Sequence, residues 1–444
     1  MSQRKLIVSL TVAILLAISA GVSQASLSRM EGMGLDVPLL SQFTDDYANI
    51  YTYPTSVVRQ NNLVLAELGN NPDGDVNPAS VFDQSYTVIR NFPRLGSIAF
   101  QMAQSQNDVL DASSNLNNEQ LDMIWGRGFS NMDFAVRLDI TNSSQEFSDN
   151  TPASVKNHGA SAFDLLFGPG ANAPYPFGAA FGPSLITDNP FEVELNTYGV
   201  TPSVALHFGE DDRFEAAATY RRFTLDRTET PAGETWKDAG NASYAIFARA
   251  IMHRGGTHTW YPAAWYVNND LSWEVTGVLA NRAAADETYK TYGAGISDNM
   301  RVNDNNLLLW GVTVGQAKHS YERTDQNTGG PVGAVHSAED KTTMVPLVFA
   351  ALETEATSWL KVRIGASRGH SMDRTETTDF NTPALNEVTK TRTAAFRLGI
   401  GTGIRWNNLD IDMTLNQQFP LSGGYILSGN QETPFNRVSA TYHF

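Results

Sequence analysis

The last ten residues constrain the fold more than any other stretch of the chain. Phe435-Asn-Arg-Val-Ser-Ala-Thr-Tyr-His-Phe444 places Val438, Ala440, Tyr442 and Phe444 at alternate positions, with Arg437, Ser439, Thr441 and His443 between them. A β-strand turns successive side chains to opposite faces, so this segment presents one apolar face and one polar face. A helix would scatter the same residues around its circumference.

The pattern recurs along the chain. Leu409, Ile411, Met413 and Leu415 alternate with Asp410, Asp412, Thr414 and Asn416, and Phe396, Leu398, Ile400 and Ile404 with Arg397, Gly399, Gly401 and Arg405. Leu360, Val362 and Ile364 alternate with Lys361, Arg363 and Gly365; Phe134, Val136, Leu138 and Ile140 do so with Ala135, Arg137, Asp139 and Thr141. A soluble sandwich also alternates, but its strands average about 5–6 residues, whereas a tilted membrane strand needs about 9–11. Several segments here exceed that length, and their polar faces repeatedly carry Arg, which a water-filled lumen accommodates. The expected fold is all-β, a transmembrane antiparallel β-barrel. An amphipathic final strand ending on Phe444 resembles the closing strand of bacterial outer-membrane barrels, which implies recognition by the barrel-assembly machinery.

Strand-like segments fall near 61–68, 84–92, 95–105, 119–128, 132–144, 191–208, 212–228, 243–253, 258–268, 271–283, 288–300, 306–323, 341–355, 358–372, 390–406, 408–419 and 435–444. An odd total conflicts with the even number found in bacterial single-chain barrels. Short periplasmic turns at 92–95, 130–132 and 209–212, counted forward, and at 406–408, 354–357 and 303–306, counted backward, disagree only between 243 and 268, so the faulty assignment is expected there. Sixteen strands is the count adopted, with fourteen the alternative. Leu225–Thr230, Tyr321–Asp325 and Met372–Thr377 share an acidic–Arg–Thr–acidic core where outward-running strands enter outer loops, a pattern read as solvation of strand ends.

The front of the chain sets the compartment. Arg4 and Lys5 precede an apolar run from Leu6 to Gly21, and small residues close the stretch at Ala25, the order of a secretory signal peptide. Its removal would move the formal net charge from −16 to −18. The organisation expected is a signal peptide over 1–25, a plug or periplasmic segment over 26–60 and the barrel over 61–444, in the bacterial outer membrane. The chain has no Cys, which excludes disulfides and Cys-ligated metal centres. Its acidic balance argues against nucleic acid as a partner. After residue 25 no apolar run approaches the ~18–20 residues of a membrane helix.

Between leader and first strand stand Arg29-Met-Glu-Gly-Met-Gly34, Phe43-Thr-Asp-Asp-Tyr-Ala-Asn-Ile-Tyr51 and Tyr53-Pro54. This region resembles the N-terminal region of the outer-membrane long-chain fatty-acid transporter superfamily and its porin-like relatives, in which Gly-Met-Gly is followed by Asp-Asp-Ala and Asn-Pro-Ala. Asp45, Asp46 and Ala48 match; Tyr53-Pro54-Thr55 replaces Asn-Pro-Ala, and Leu35 follows Gly34 in place of a second Gly. The resemblance implies a plug, with Gly34, Asp45, Asp46, Tyr53 and Pro54 within it, and apolar ligands that are captured outside and leave through the wall. A lumen at fourteen or more strands is too wide for inward side chains to fill, which suits a plug; a short periplasmic extension is the other reading.

The longest connection, 145–190, gathers Phe163, Leu166, Phe167, Tyr175, Phe177 and Phe181, together with Leu165, among Gly and Pro. Such a cluster either captures an apolar ligand, folds into the pore or packs on itself. Lys361, Arg363, Arg397, Arg405 and Arg437 share the lumen-facing register. They form either a cationic strip that favours anions or, the preferred reading, pairs with inward acids such as Asp410 and Asp412. Enzyme signals are weak. Gly365-Ala-Ser-Arg-Gly369 matches a nucleophile elbow, but Ser367 sits within an alternating strand and not at a strand-to-helix turn. Asn71, Asp73, Asp75 and Asn77 lack the Glu that a calcium loop needs, and Gly399-Ile-Gly-Thr-Gly403 places its glycines at alternate lumen positions. No catalytic residue, metal or cofactor is expected.

The expected function is passive uptake of small hydrophobic molecules by a barrel in contact with outer-membrane lipid. The alternatives are a diffusion porin for hydrophilic solutes and a structural or partner-docking barrel.

Overall fold

The computed structural model describes residues 26–35, 38–60, 62–69, 84–107, 116–147, 191–209, 211–229, 235–238, 240, 242–270, 272–276, 283–325, 334–379, 387–415 and 435–444. Among them one antiparallel sheet closes on itself. Its strands are β1 (Leu63–Gly69), β2 (Gln84–Phe92), β3 (Gly96–Asn107), β4 (Leu116–Gly128), β5 (Met132–Phe147), β6 (Phe191–His207), β7 (Arg213–Glu229), β8 (Thr235–Asp238) and β9 (Ala242–Arg254). They continue with β10 (His258–Asp270), β11 (Trp273–Thr276), β12 (Ala283–Asn303), β13 (Asn306–Asp325), β14 (Ala334–Thr357), β15 (Leu360–Asp379), β16 (Glu387–Trp406), β17 (Leu409–Leu415) and β18 (Phe435–His443). β18 pairs with β1 in the register Leu63↔His443, which closes the circuit.

Sixteen strands complete that circuit, because β7 pairs directly with β9 and β10 with β12. The four-residue strands β8 and β11 pair with each other and lengthen the wall between β7 and β12. The alternative of fourteen strands is therefore excluded. The location expected for the counting conflict is also corrected: 242–254 and 258–270 are both genuine strands, joined through Gly255 and Gly256, whose positive φ values of 64° and 75° suit a tight hairpin. The faulty assignment is 271–283. Asp270 Oδ1 accepts hydrogen bonds from Ser272 N and Oγ at 3.3 and 2.8 Å, a side-chain turn that interrupts the strand. Among the described residues, extended structure then resumes over Trp273–Thr276.

Side chains sort as the alternation predicts. On β5, Asp133, Ala135, Arg137 and Asp139 are buried inside, while Phe134, Leu138 and Ile140 are exposed outside. On β18, Arg437, Ser439 and Thr441 are buried and Tyr442 is exposed. A soluble protein has the opposite order. Exposed aromatic residues also ring the end that holds the short turns: Phe92, Phe129, Phe208, Trp359, Trp406 and Phe444.

The described residues of 26–60 form one short helix, α1 (Leu27–Gly32), and three 3-10 segments at Pro38–Phe43, Tyr47–Tyr51 and Pro54–Arg59. Nearly all of their described side chains are buried. α1 contacts β15–β18, Pro38–Phe43 contacts β10, and Pro54–Arg59 contacts β3–β6. A segment that meets strands all around a closed circuit lies within it.

Candidate functional site

The interior is where the N-terminal segment meets the barrel wall, and three local designs hold it there. The first is a cradle of glycines. Gly34, at φ 66°, ends α1 by donating its N–H to the Glu31 carbonyl at 2.8 Å while Leu35 donates to the Met30 carbonyl at 2.9 Å, a left-handed cap that glycine adopts without strain. The backbone around it then presses on inward glycines of β15 and β16. A Cβ on Gly365 would collide with the Met33 carbonyl, and one on Gly399 with the Gly34 nitrogen and Glu31 carbonyl. One on Gly32 would come within 2.9 Å of Gly401 Cα. The glycines read as unremarkable lumen positions are thus what lets α1 approach the wall.

The second is a chain of buried ions. Arg29 donates from Nε to Glu353 and from Nη1 to Asp46, each at 2.7 Å. Glu353 also accepts from Arg363 Nε at 2.6 Å, and Arg363 Nη1 donates to Asp412 at 2.7 Å. Ser26 Oγ donates to the other Asp412 oxygen at 2.8 Å. On the opposite side Arg213 bonds Asp45 at 2.6 Å, and Glu215 takes Arg249 at 2.6 Å, Arg213 at 3.1 Å and also Arg59. Arg249 donates to the carbonyls of Gln42 and Thr44, and its guanidinium lies 4.5 Å from the centre of the Tyr53 ring. Arg137 donates to Asp122 and to the Tyr51 carbonyl. Paired and hydrogen-bonded in this way, buried charges become tolerable, whereas an orphaned partner would be costly.

These surroundings split two adjacent carboxylates. Desolvation raises Asp46 above the usual carboxylate range and outweighs the attraction of Arg29. For Asp45 desolvation acts in the same direction, but Arg213, Arg59 and Arg249 together outweigh it and hold the group below that range.

The third design is apolar. Phe247, Tyr261, Trp265 and Val267 from β9 and β10, with Leu309, Leu347 and Phe349 from β13 and β14, cluster around Leu40, Phe43, Met30 and Met33. The Phe43 and Phe349 rings lie 5.6 Å apart. Small residues face the aromatic ones: a Cβ on Gly293 would strike the Trp265 ring, and one on Gly311 the Phe349 ring.

The residues singled out in sequence fall into place unevenly. Gly34, Asp45, Asp46, Tyr53 and Pro54 all belong to the interior segment. Tyr53 donates its hydroxyl to Gln42 Oε1 at 2.8 Å, and Pro54 opens the last 3-10 segment. Arg363 and Arg437 are buried and bound to carboxylates, Arg437 to Glu31 at 3.2 Å. Arg405 pairs with Asp410 at 2.8 Å and Lys361 with Glu355 at 3.0 Å, while Arg397 is half-buried on β16. Phe163, Leu166, Phe167, Tyr175, Phe177 and Phe181 lie outside the described residues, as do 1–25 and the acidic loop 70–83. Ser367 is buried in the middle of β15, far from any strand-to-helix turn. Among the described residues no three His, Asp or Glu side chains converge as metal ligands do.

No family model matches the chain, and no curated protein matches it in sequence. Among solved structures it is similar to a Pseudomonas aeruginosa FadL homologue, with 11% identity over 95% of this chain and 99% of that one, and a TM-score of 0.43. It is also similar to the alcaligin outer-membrane receptor FauA from Bordetella pertussis, with 9% identity, 80% and 68% coverage and a TM-score of 0.36. The ferric-catecholate import receptor Fiu from E. coli gives 9%, with 87% and 82% coverage and a TM-score of 0.33.

Proposed function

We propose that the chain is a bacterial outer-membrane barrel that admits small hydrophobic molecules passively, with residues 26–60 as its plug. The observation that supports this reading is a lumen with two kinds of surface: ions, hydrogen bonds and glycines around the circuit bind the segment, and one patch on β9–β14 offers it an apolar, aromatic face. A hydrophobic solute moving past the segment would follow the apolar patch, where contacts are non-directional and can be exchanged.

Membrane insertion is supported by the outer surface. On β6 the exposed Tyr198 and the exposed Phe208 just past its end are roughly 33 Å of strand apart, about 25 Å along the barrel axis at a tilt near 40°, the height of an outer-membrane apolar band. Exposed Tyr86, Tyr220, Tyr244 and Tyr292 extend the upper aromatic belt. With the short turns periplasmic, the opposite ends of the strands face outward. Pairing is irregular beside Pro346, where β14 skips its register with both β13 and β15 next to inward Leu347, and an exit through the wall is proposed there.

Proteoliposomes provide the test. Vesicles carrying the mature chain are expected to accelerate entry of an apolar fluorophore while remaining impermeable to a small sugar. Rapid sugar entry would favour the diffusion porin, and no change with either solute would favour the docking barrel.

A further inference from the structure

We infer that the residue freed by leader removal is a latch: the α-ammonium group of Ser26 docks between Asp412 and Glu67 inside the barrel and completes the seating of the N-terminal segment. The inference concerns maturation and does not depend on which solute the barrel admits.

Ser26 is fully buried and caps α1. Its Oγ donates to Asp412 at 2.8 Å, and the next backbone nitrogen, Leu27 N, donates to Glu67 Oε1 at 2.7 Å. The Ser26 nitrogen is three bonds from each of these two donors, so standard bond geometry puts it within roughly 6 Å of both carboxylates. That is the range over which opposite charges act strongly at a buried site.

The charge balance at this point is incomplete. Asp412 shares the Arg363 guanidinium with Glu353, which also takes Arg29. Glu67, 2% exposed, accepts from Leu27 N, Ser85 and Ser439 and has no cationic partner among the described residues. Buried carboxylates without counter-charge are costly. In the uncleaved chain the Ser26 nitrogen is a neutral amide. Hydrolysis of the Ala25–Ser26 bond consumes one water, leaves a carboxylate on Ala25 and an amine on Ser26, and that amine takes up a proton at neutral pH, where a free α-amino group is mostly charged. Cleavage thus creates the missing cation at the site that lacks it.

The test uses barrel purified from cells that export the full-length chain. N-terminal sequencing and intact mass are expected to give Ser26 as the first residue. Acylation of its α-amine near pH 8, followed on the N-terminal peptide, is expected to be at least about tenfold slower in the folded barrel than in urea. The E67Q/D412N double variant is expected to lose most of that protection. A wild-type chain acetylated at the α-amine in urea and then refolded gives a readout that requires no substitution, and it is expected to denature at a lower temperature than the free-amine chain. A mature chain starting elsewhere, equal acylation rates folded and unfolded, or an acetylated barrel as heat-resistant as the unmodified one would overturn the inference.

Discussion

Strands β15–β18 and the apolar patch on strands β9–β14 meet the same N-terminal segment by different means. The first wall is polar inside: Arg363, Ser367, Asp412, Thr414, Arg437, Ser439 and Thr441 face inward, with Gly365, Gly399 and Gly401 where the backbone of α1 comes closest. Its hydrogen bonds to the segment are directional, including Thr414 Oγ1 to the Ser28 carbonyl and Ser28 Oγ to Ser439 Oγ. The second wall mixes two kinds of contact: Arg249 on β9, Ser297 and Asn299 on β12 and Glu353 on β14 also bond the segment, while Phe247, Trp265, Leu309, Leu347 and Phe349 form an apolar, aromatic patch against it. Directional bonds fix a position, because each becomes an unsatisfied buried group when shifted. Apolar contacts fix only burial. The molecule therefore anchors the segment by polar bonds and packs it against one apolar patch, the place where the proposed function would exchange contents.

That contrast can be broken from either side. The largest effect is expected from Arg29→Ala, which leaves Glu353 and Asp46 buried and short of a cation; losing one partner of such a pair costs about 3–5 kcal/mol. The segment should undock, seen as protease cleavage within 26–60 in an otherwise intact barrel. Gly399→Ala comes next. Its Cβ meets backbone of α1, which cannot rotate away, so an overpacking cost of about 1–3 kcal/mol should appear as faster amide exchange over 27–34. Phe349→Leu on the apolar patch should cost less than about 1.5 kcal/mol and leave the segment docked by the same protease assay. If Phe349→Leu released the segment more readily than Arg29→Ala, the roles given to the buried ions and to the apolar patch would be reversed.

Acid should give the smallest effect. Asp45 is held below the usual carboxylate range, so the stability it contributes is present above an unfolded pKa of about 3.9 and is lost as pH falls through its lower folded value. Asp46 is raised and contributes with the opposite sign, which limits the net loss. Protease sensitivity of 26–60 should therefore rise only below about pH 4, and Asp45→Asn should flatten that limb.

Much of the barrel was legible because period-two alternation is local and long strands repeat it many times. The strand β5 could be read almost to its ends from Phe134, Val136, Leu138 and Ile140. The error at 271–283 had a non-local cause. Asn268-Asn-Asp270 followed by Ser272 carries turn chemistry, but only the pairing of β11 with β8 shows that the strand resumes as an extension of β10. The Gly255-Gly256 pair was the available signal that 243–253 and 258–268 are two strands of one hairpin. In the interior, Arg363 and Asp412 were legible as inward residues from alternation. The coupling of Arg29 to Glu353, 324 residues away, depends on the path of the segment through the lumen, which no local pattern records. The roles of Gly365 and Gly399 were hidden for the same reason, since a glycine in a strand announces a close approach without naming what approaches.

The central claim is that residues 26–60 occlude the lumen, and single-channel conductance in planar bilayers tests it most directly. The full mature chain should be silent, and a barrel lacking residues 26–58 should conduct steadily. Steady conductance from the full chain, equal to that of the truncated one, would contradict the account.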